Sequence, residues 1–186
     1  MTGLNPQKKA KQPALHRFNV AAAAASGIAV ADTTPLQQLE RLAAESAGPE
    51  ADASINWKAA AQLRAGANGQ ADTWLHLLAD TSMQLTCQRC LSTVQTPLRV
   101  DQWYRFVDSE EVAMHEDDGC DEDLLVMTPE FDLAALVEDE LLMALPLVPM
   151  HNTCPVMPMF NAGDVAAPAG KADKPNPFAV LAKLKR

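Results

Sequence analysis

Cys87-Gln88-Arg89-Cys90 is the stretch whose residue types and spacing speak most directly of chemistry. Two thiols so placed can grip one soft metal ion, close one disulfide or run a redox cycle. A second pair with the same spacing, His151 and Cys154, stands downstream. Three cysteines and one histidine are a standard donor set for tetrahedral zinc. With all four positions supplied by protein, such a metal would be structural rather than catalytic. Sixty residues separate Cys90 from His151, a long gap for one site. The plainer alternative is that Cys87 and Cys90 are ordinary hairpin residues and His151 to Cys154 an ordinary loop. Cys120 lies in an acidic stretch and is the weakest ligand candidate.

These residues need elements to bring them together. Ile55, Trp57, Ala59, Ala61 and Leu63 alternate with more polar neighbours, predicting a strand with one wet face. Leu75, Leu77 and Ala79, then Met83 and Leu85, predict one or two strand pieces ending at Cys87. Val94, Leu98, Val100, Tyr104 and Phe106 predict the next strand, ending at Val107. The Cys pair therefore sits in a hairpin connection, where a tight turn can aim two sulfurs at one point. Thioredoxin-like redox use wants a helix N-terminus instead, so flanking strands disfavour it. Asp132 can cap a helix running to Leu145, and Pro146 and Pro149 then impose an extended exit carrying His151 and Cys154. Upstream, Thr34, Pro35 and the leucines 36, 39 and 42 predict a helix over 35–46, ended by Gly48-Pro49.

The 186 residues suit one domain with tails, and a 48% apolar content suffices for a packed core, although only 5% is aromatic. Four cysteines are too few for a secreted disulfide scaffold of this length, which points to a reducing cytosol. No apolar run approaches the roughly 20 residues of a membrane span. Four basic residues precede the Ala-rich run Val20 to Ala31, but that run lacks the hydrophobicity of a signal peptide.

Charge is unevenly spread. The net is −9, yet residues 32–170 hold 6 basic against 23 acidic groups, while residues 1–31 carry four basic and no acidic ones. Nine carboxylates and no Lys or Arg lie between Asp108 and Asp123, which reads as a solvated acidic loop or a surface for a basic partner. Nucleic-acid affinity rests on cations, so RNA contact is expected from the tails or near Arg89. Glu140 falls within the apolar stripe of helix 132–145, which calls for local pairing or an interfacial cation partner such as Arg89. Near the end, Asn176 can cap a short helix, Pro177 suits its first position, and Phe178, Leu181 and Leu184 share a face. No Gly-rich phosphate loop, nucleophile motif or paired acid and base stands out, so an enzyme is not expected.

Three blocks in order carry a resemblance: Cys87-Gln88-Arg89-Cys90; Leu136 to Pro149 (LVEDELLMALPLVP) followed by His151; and Lys174-Pro175-Asn176-Pro177-Phe178-Ala179-Val180-Leu181. Together they resemble the bacterial YceD family, the large ribosomal RNA subunit accumulation proteins. The likeness covers roughly residues 15–186 and is looser before Leu85. It implies a cytoplasmic protein needed for synthesis, processing or stability of large-subunit (23S) ribosomal RNA, without established catalysis. Other branches of the family carry more cysteine near the C-terminal block; this chain keeps Cys154, with His151 nearby.

The expected fold is α+β: an antiparallel sheet or small barrel with flanking helices and flexible termini. The expected layout is a basic arm over 1–17, one domain over 18–160, a linker over 161–174 and an amphipathic segment over 175–186. The expected function is ribosome biogenesis by binding a ribosomal protein or large-subunit precursor RNA, with no membrane and no small-molecule substrate. Arg89, Glu140, Asn176, Pro177, Phe178 and Leu181 are the expected partner-binding residues, and Cys87, Cys90, His151 and Cys154 the candidate structural zinc ligands. The competing reading is a metal-stabilised protein-interaction module unrelated to ribosomes.

Overall fold

Three long strands with strict alternation dominate the chain. In the computed structural model, which describes residues 16–48, 53–66 and 69–156, they are β2 (Ser54–Ala65), β3 (Ala71–Thr86) and β4 (Thr93–Val107). An edge strand β1 (Ala29–Pro35) pairs antiparallel with β2, and a short β5 (Asp123–Val126) pairs parallel with β4. The sheet is open, in the order β1-β2-β3-β4-β5, so the antiparallel-sheet expectation holds and the barrel alternative does not. The two pieces predicted before Cys87 are one continuous strand.

One face of the sheet is the core. Ile55, Trp57, Leu75, Leu77, Met83 and Tyr104 point into it, each at most 5% exposed. Helices α1 (Val20–Ser26), α2 (Glu40–Ala44) and α4 (Leu133–Met143) cover that face with Val20, Leu42, Leu133 and Leu141. Within the Ala-rich run Ala29–Ala31 begin β1, and the first part, Val20–Ser26, is thus a helix packed on the core. Asn19 Oδ1 caps it by accepting from the Ala22 N–H at 2.8 Å. Gly27 ends it at φ +61°, a left-handed conformation that glycine adopts without steric cost. Asp132 caps α4 as expected, its Oδ1 accepting from the Ala135 N–H at 2.9 Å. Phe18 and Phe131 exchange backbone hydrogen bonds at 2.8 and 2.9 Å, joining the two helix entrances. His16 Nδ1 meets the Asp132 carboxylate at 3.1 Å, and Arg17 pairs with Glu130.

Two expectations need correction. Residues 35–46 are not one helix: Pro35 ends β1, Leu36–Gln38 form a 3₁₀ turn, and α2 follows. The three leucines are buried as read, but a spacing of three is the 3₁₀ period. The acidic stretch is not simply a loop. Ser109 caps α3 (Glu110–Glu116), and Glu110 and Glu111 in the first turn complement its dipole. Arg105 then ties the stretch down through Glu116 at 2.8 Å and Glu122 at 2.7 Å.

Glu138, which the helical stripe leaves off the apolar face, is the buried carboxylate of α4. Its Oε1 accepts from the backbone N–H groups of Arg41 at 2.8 Å and Leu42 at 3.2 Å, and its Oε2 from Arg41 Nε and Nη2 at 2.9 and 2.8 Å. Helix α2 has no side-chain cap of its own at Leu39, so α4 supplies one. Burial alone would raise the Glu138 pKa; the Arg41 side chain and the two amides hold it below the usual carboxylate value. Residues 1–15 and 157–186, with Asn176, Pro177, Phe178 and Leu181, lie outside the described residues.

Candidate metal centre

The β3–β4 connection is built for two sulfurs. The Leu91 N–H donates to the Cys87 carbonyl at 2.9 Å, and the Cys87 N–H to the Ser92 carbonyl at 2.9 Å, closing a tight tip. Leu91 takes φ +59°, the left-handed conformation that turns the chain after the second cysteine. This tip is the predicted hairpin connection. The two prolines 146 and 149 end α4 and direct the chain back to it, where the Gln88 N–H donates to the Pro149 carbonyl at 2.9 Å.

All four predicted ligands meet there. One donor atom from each of Cys87, Cys90, His151 and Cys154 lies within 4.8 Å of every other. Cys87 Sγ is 4.0 Å from Cys154 Sγ, and Cys90 Sγ is 3.5 Å from His151 Nδ1. A tetrahedral zinc with Zn–S near 2.3 Å and Zn–N near 2.05 Å requires S···S of about 3.8 Å and S···N of about 3.6 Å. A disulfide needs about 2.05 Å between sulfurs, and all four cysteines are free thiols. The geometry therefore suits a metal ion and not a bridge. Cys120 lies apart, its thiol directed at the Glu122 carbonyl at 3.4 Å.

The electrostatics favour ligand-ready sulfur. Burial opposes ionisation of Cys87, which is fully buried, yet hydrogen bonds from the backbone of Cys90, His151 and Arg89 bring its thiol down to about 5. Cys90 is lowered chiefly by the Ser92 hydroxyl, 3.0 Å away. His151 is raised by its hydrogen bond to Cys87, as expected of an imidazole beside thiolates. Cys154 is raised by burial, although Arg89 Nε donates to its sulfur at 3.1 Å. Arg89 Nη2 also donates to the His151 carbonyl at 2.6 Å. Arg89 thus clamps the returning segment onto the tip, the task that separates it from an Arg89–Glu140 pairing.

Glu140 is half-buried on α4, beside Tyr104. The Tyr104 hydroxyl is buried without a hydrogen-bond partner among the described residues. Burial first, and then the Glu140 carboxylate, keep that phenol protonated far above its ordinary value. Around the thiol-bearing tip the apolar side chains face outward: Leu91 is 76% and Leu147 100% exposed, and Val148 and Met150 more than half. Glu138 and Arg41 are the functional pairing that sequence reading missed; no local spacing signals a cap supplied by a distant helix.

Residues 75–185 match the family model described as "Large ribosomal RNA subunit accumulation protein YceD". A protein of that name from Haemophilus influenzae is 39% identical over 106 residues. The aligned part covers 56% of this chain and 60% of that relative's length. No solved structure matches. No helix among the described residues is long and apolar enough to cross a membrane.

Proposed function

The chain belongs to the family of large ribosomal RNA subunit accumulation proteins, YceD, and from that premise we propose that it is a cytoplasmic ribosome-biogenesis factor. It sustains 23S ribosomal RNA by attachment to a ribosomal protein or to the precursor RNA, not by catalysis. The family match over 75–185 carries this reading. The donor set adds to it: four protein ligands leave no open position for a substrate, as in structural zinc sites. Zinc held by Cys87, Cys90, His151 and Cys154 fixes the exit from α4 to the β3–β4 tip. That places Arg89 and the exposed Leu91, Leu147 and Met150 on one rigid surface. Glu140 and the segment with Asn176, Pro177, Phe178 and Leu181 complete the proposed partner contacts.

The test is the ratio of 23S to 16S ribosomal RNA in cells lacking the gene. The reading predicts a fall that wild-type protein restores. An unchanged ratio, with normal large subunits, removes the proposed role.

A further inference from the structure

The sheet has a second face, opposite the core. Register places Lys58 and Arg64 from β2, Trp74 and His76 from β3, and Arg99 and Trp103 from β4 on it. With Arg105, this face collects four of the six cations in segment 32–170 and two of the chain's three tryptophans. Asp72, Asp80 and Asp101 share it in register and Glu116 and Glu122 reach it through Arg105, so cations stand four to five here against six to twenty-three over the segment. Asp101 is engaged by His76 Nε2 at 2.8 Å, and Asp80 accepts from Asn56 at 3.2 Å. Lys58 and Arg99 enter no ion pair among the described residues.

The rings form one continuous cluster. His76 and Trp103 lie opposite in register, with planes 3° apart and centroids 4.0 Å apart. Trp74 meets Trp103 edge to face at 6.5 Å. The Arg64 guanidinium carbon sits 3.7 Å from the Trp103 centroid and 4.6 Å from that of Trp74, with the Gln62 amide oxygen turned to accept from it. Arg105 is held by Glu116 and Glu122, so the acidic stretch closes that end of the face. Rings and cations spaced along adjacent strands suit bases that stack and phosphates that follow the strand direction. A protein partner would call for a continuous aliphatic patch; here Leu78 stands among polar and aromatic neighbours, and Leu124 and Val126 lie apart at the β5 edge.

We infer that this open face is a single-stranded RNA platform, with bases stacking on Trp74 and on the His76 end of the His76–Trp103–Arg64 stack while Arg64, Lys58 and Arg99 take the phosphates. The inference rests on the proposed role in large-subunit RNA and names the surface through which it acts. The test uses the full-length chain and a fluorescein-labelled, mixed-sequence 12-nucleotide single-stranded RNA, read by anisotropy. Three phosphate contacts predict a slope near −2 in log K against log salt, or about 20-fold weaker binding at 200 mM than at 50 mM salt. Trp103→Leu is expected to weaken binding about 5- to 100-fold with the slope kept, and Trp103→Tyr to restore most of it. Lys58→Glu with Arg99→Glu is expected to flatten the slope to about −1 or less. Ile28→Ser, at an exposed position between α1 and β1, is expected to bind as wild type. Circular dichroism and melting identify any variant that fails to fold. The inference is overturned if the wild-type chain does not bind this RNA, or if the folded Trp103→Leu and double-Glu variants bind it unchanged. Variants that bind RNA normally yet fail to sustain 23S RNA in cells would assign the face to a protein, which also overturns it. If deletion leaves 23S RNA intact while the variants still lose RNA binding, the ribosomal role falls and the platform stands.

Discussion

With zinc held at Cys87, Cys90, His151 and Cys154 as proposed, its removal should loosen one segment and lower stability without unfolding the sheet. The segment after α4 is poorly anchored by burial, since Leu147 is fully exposed and Val148, Met150 and Val156 are more than half exposed. Its ties to the tip are the four ligands, the Gln88–Pro149 backbone bond and the two Arg89 bonds. A metal joining Cys90 to His151 closes a loop of about 60 residues, which in the chain-entropy treatment of cross-links is worth up to about 4 kcal/mol. For a domain near 140 residues, about 0.3 kcal/mol per degree of unfolding entropy converts this to a Tm drop of up to about 13 °C. Of the site residues only Cys87 belongs to the buried core cluster that runs from Phe18 to Leu141, with Cys90 and Cys154 packed on its edge, so strand structure should persist. The assay is thermal unfolding with and without a zinc chelator, followed by zinc addition, together with limited proteolysis mapped by mass spectrometry. Chelation should lower Tm by about 5–13 °C and open cleavage between Pro146 and Val156, and zinc should reverse both. A Cys87→Ser/Cys90→Ser variant with wild-type Tm and wild-type protease pattern would refute the reasoning.

Other perturbations follow from single contacts. Glu138→Ala leaves two helix N-terminal amides and Arg41 Nε and Nη2 without their acceptor, with Nη1 still held by Asp139, and should cost about 2–4 kcal/mol in denaturant unfolding, with Glu138→Gln losing less. Because the folded pKa of Glu138 is depressed below 4.5, its contribution is present above that value and lost as pH falls through the folded pKa. The stability gap between wild type and Glu138→Gln should therefore narrow between about pH 5 and pH 3; a constant gap would contradict the pairing. Tyr104→Phe removes a buried hydroxyl that has no hydrogen-bond partner among the described residues and should be neutral or stabilising by up to about 1 kcal/mol; a loss above about 1 kcal/mol would reveal a bond the hydroxyl makes. Glu140→Gln should fold normally and weaken partner capture from lysate, and unchanged capture would reject an interfacial role.

The site was readable because its logic is local. Cys87 and Cys90 sit at a turn between two strongly alternating strands, and Pro146 and Pro149 announce the break that returns His151 and Cys154. The period-2 pattern of β2 and β4 and the Asp132 cap of α4 were legible for the same reason. What stayed hidden depends on tertiary partners. Strand β1 is an edge strand of small and polar residues; its inward Thr34 earns burial by accepting from Trp57 Nε1 at 2.9 Å, which no periodicity reveals. Strand β5 is four residues at the end of an acidic run, held by parallel pairing to β4. Nothing near Glu138 in the sequence marks it as buried, because the amides it accepts from, Arg41 and Leu42, lie almost a hundred positions away. On the open face, alternation marks Trp74 and Trp103 only as outward residues; cross-strand register turns them into one cluster.

Crosslinking in living cells, with the bound RNA recovered on the full-length chain and sequenced, bears most directly on attachment to large-subunit RNA. Enrichment of 23S precursor over 16S RNA, lost in a folded Trp103→Leu chain, is the predicted result. Recovery of 16S and 23S RNA in proportion to their abundance, unchanged in that variant, would contradict the account.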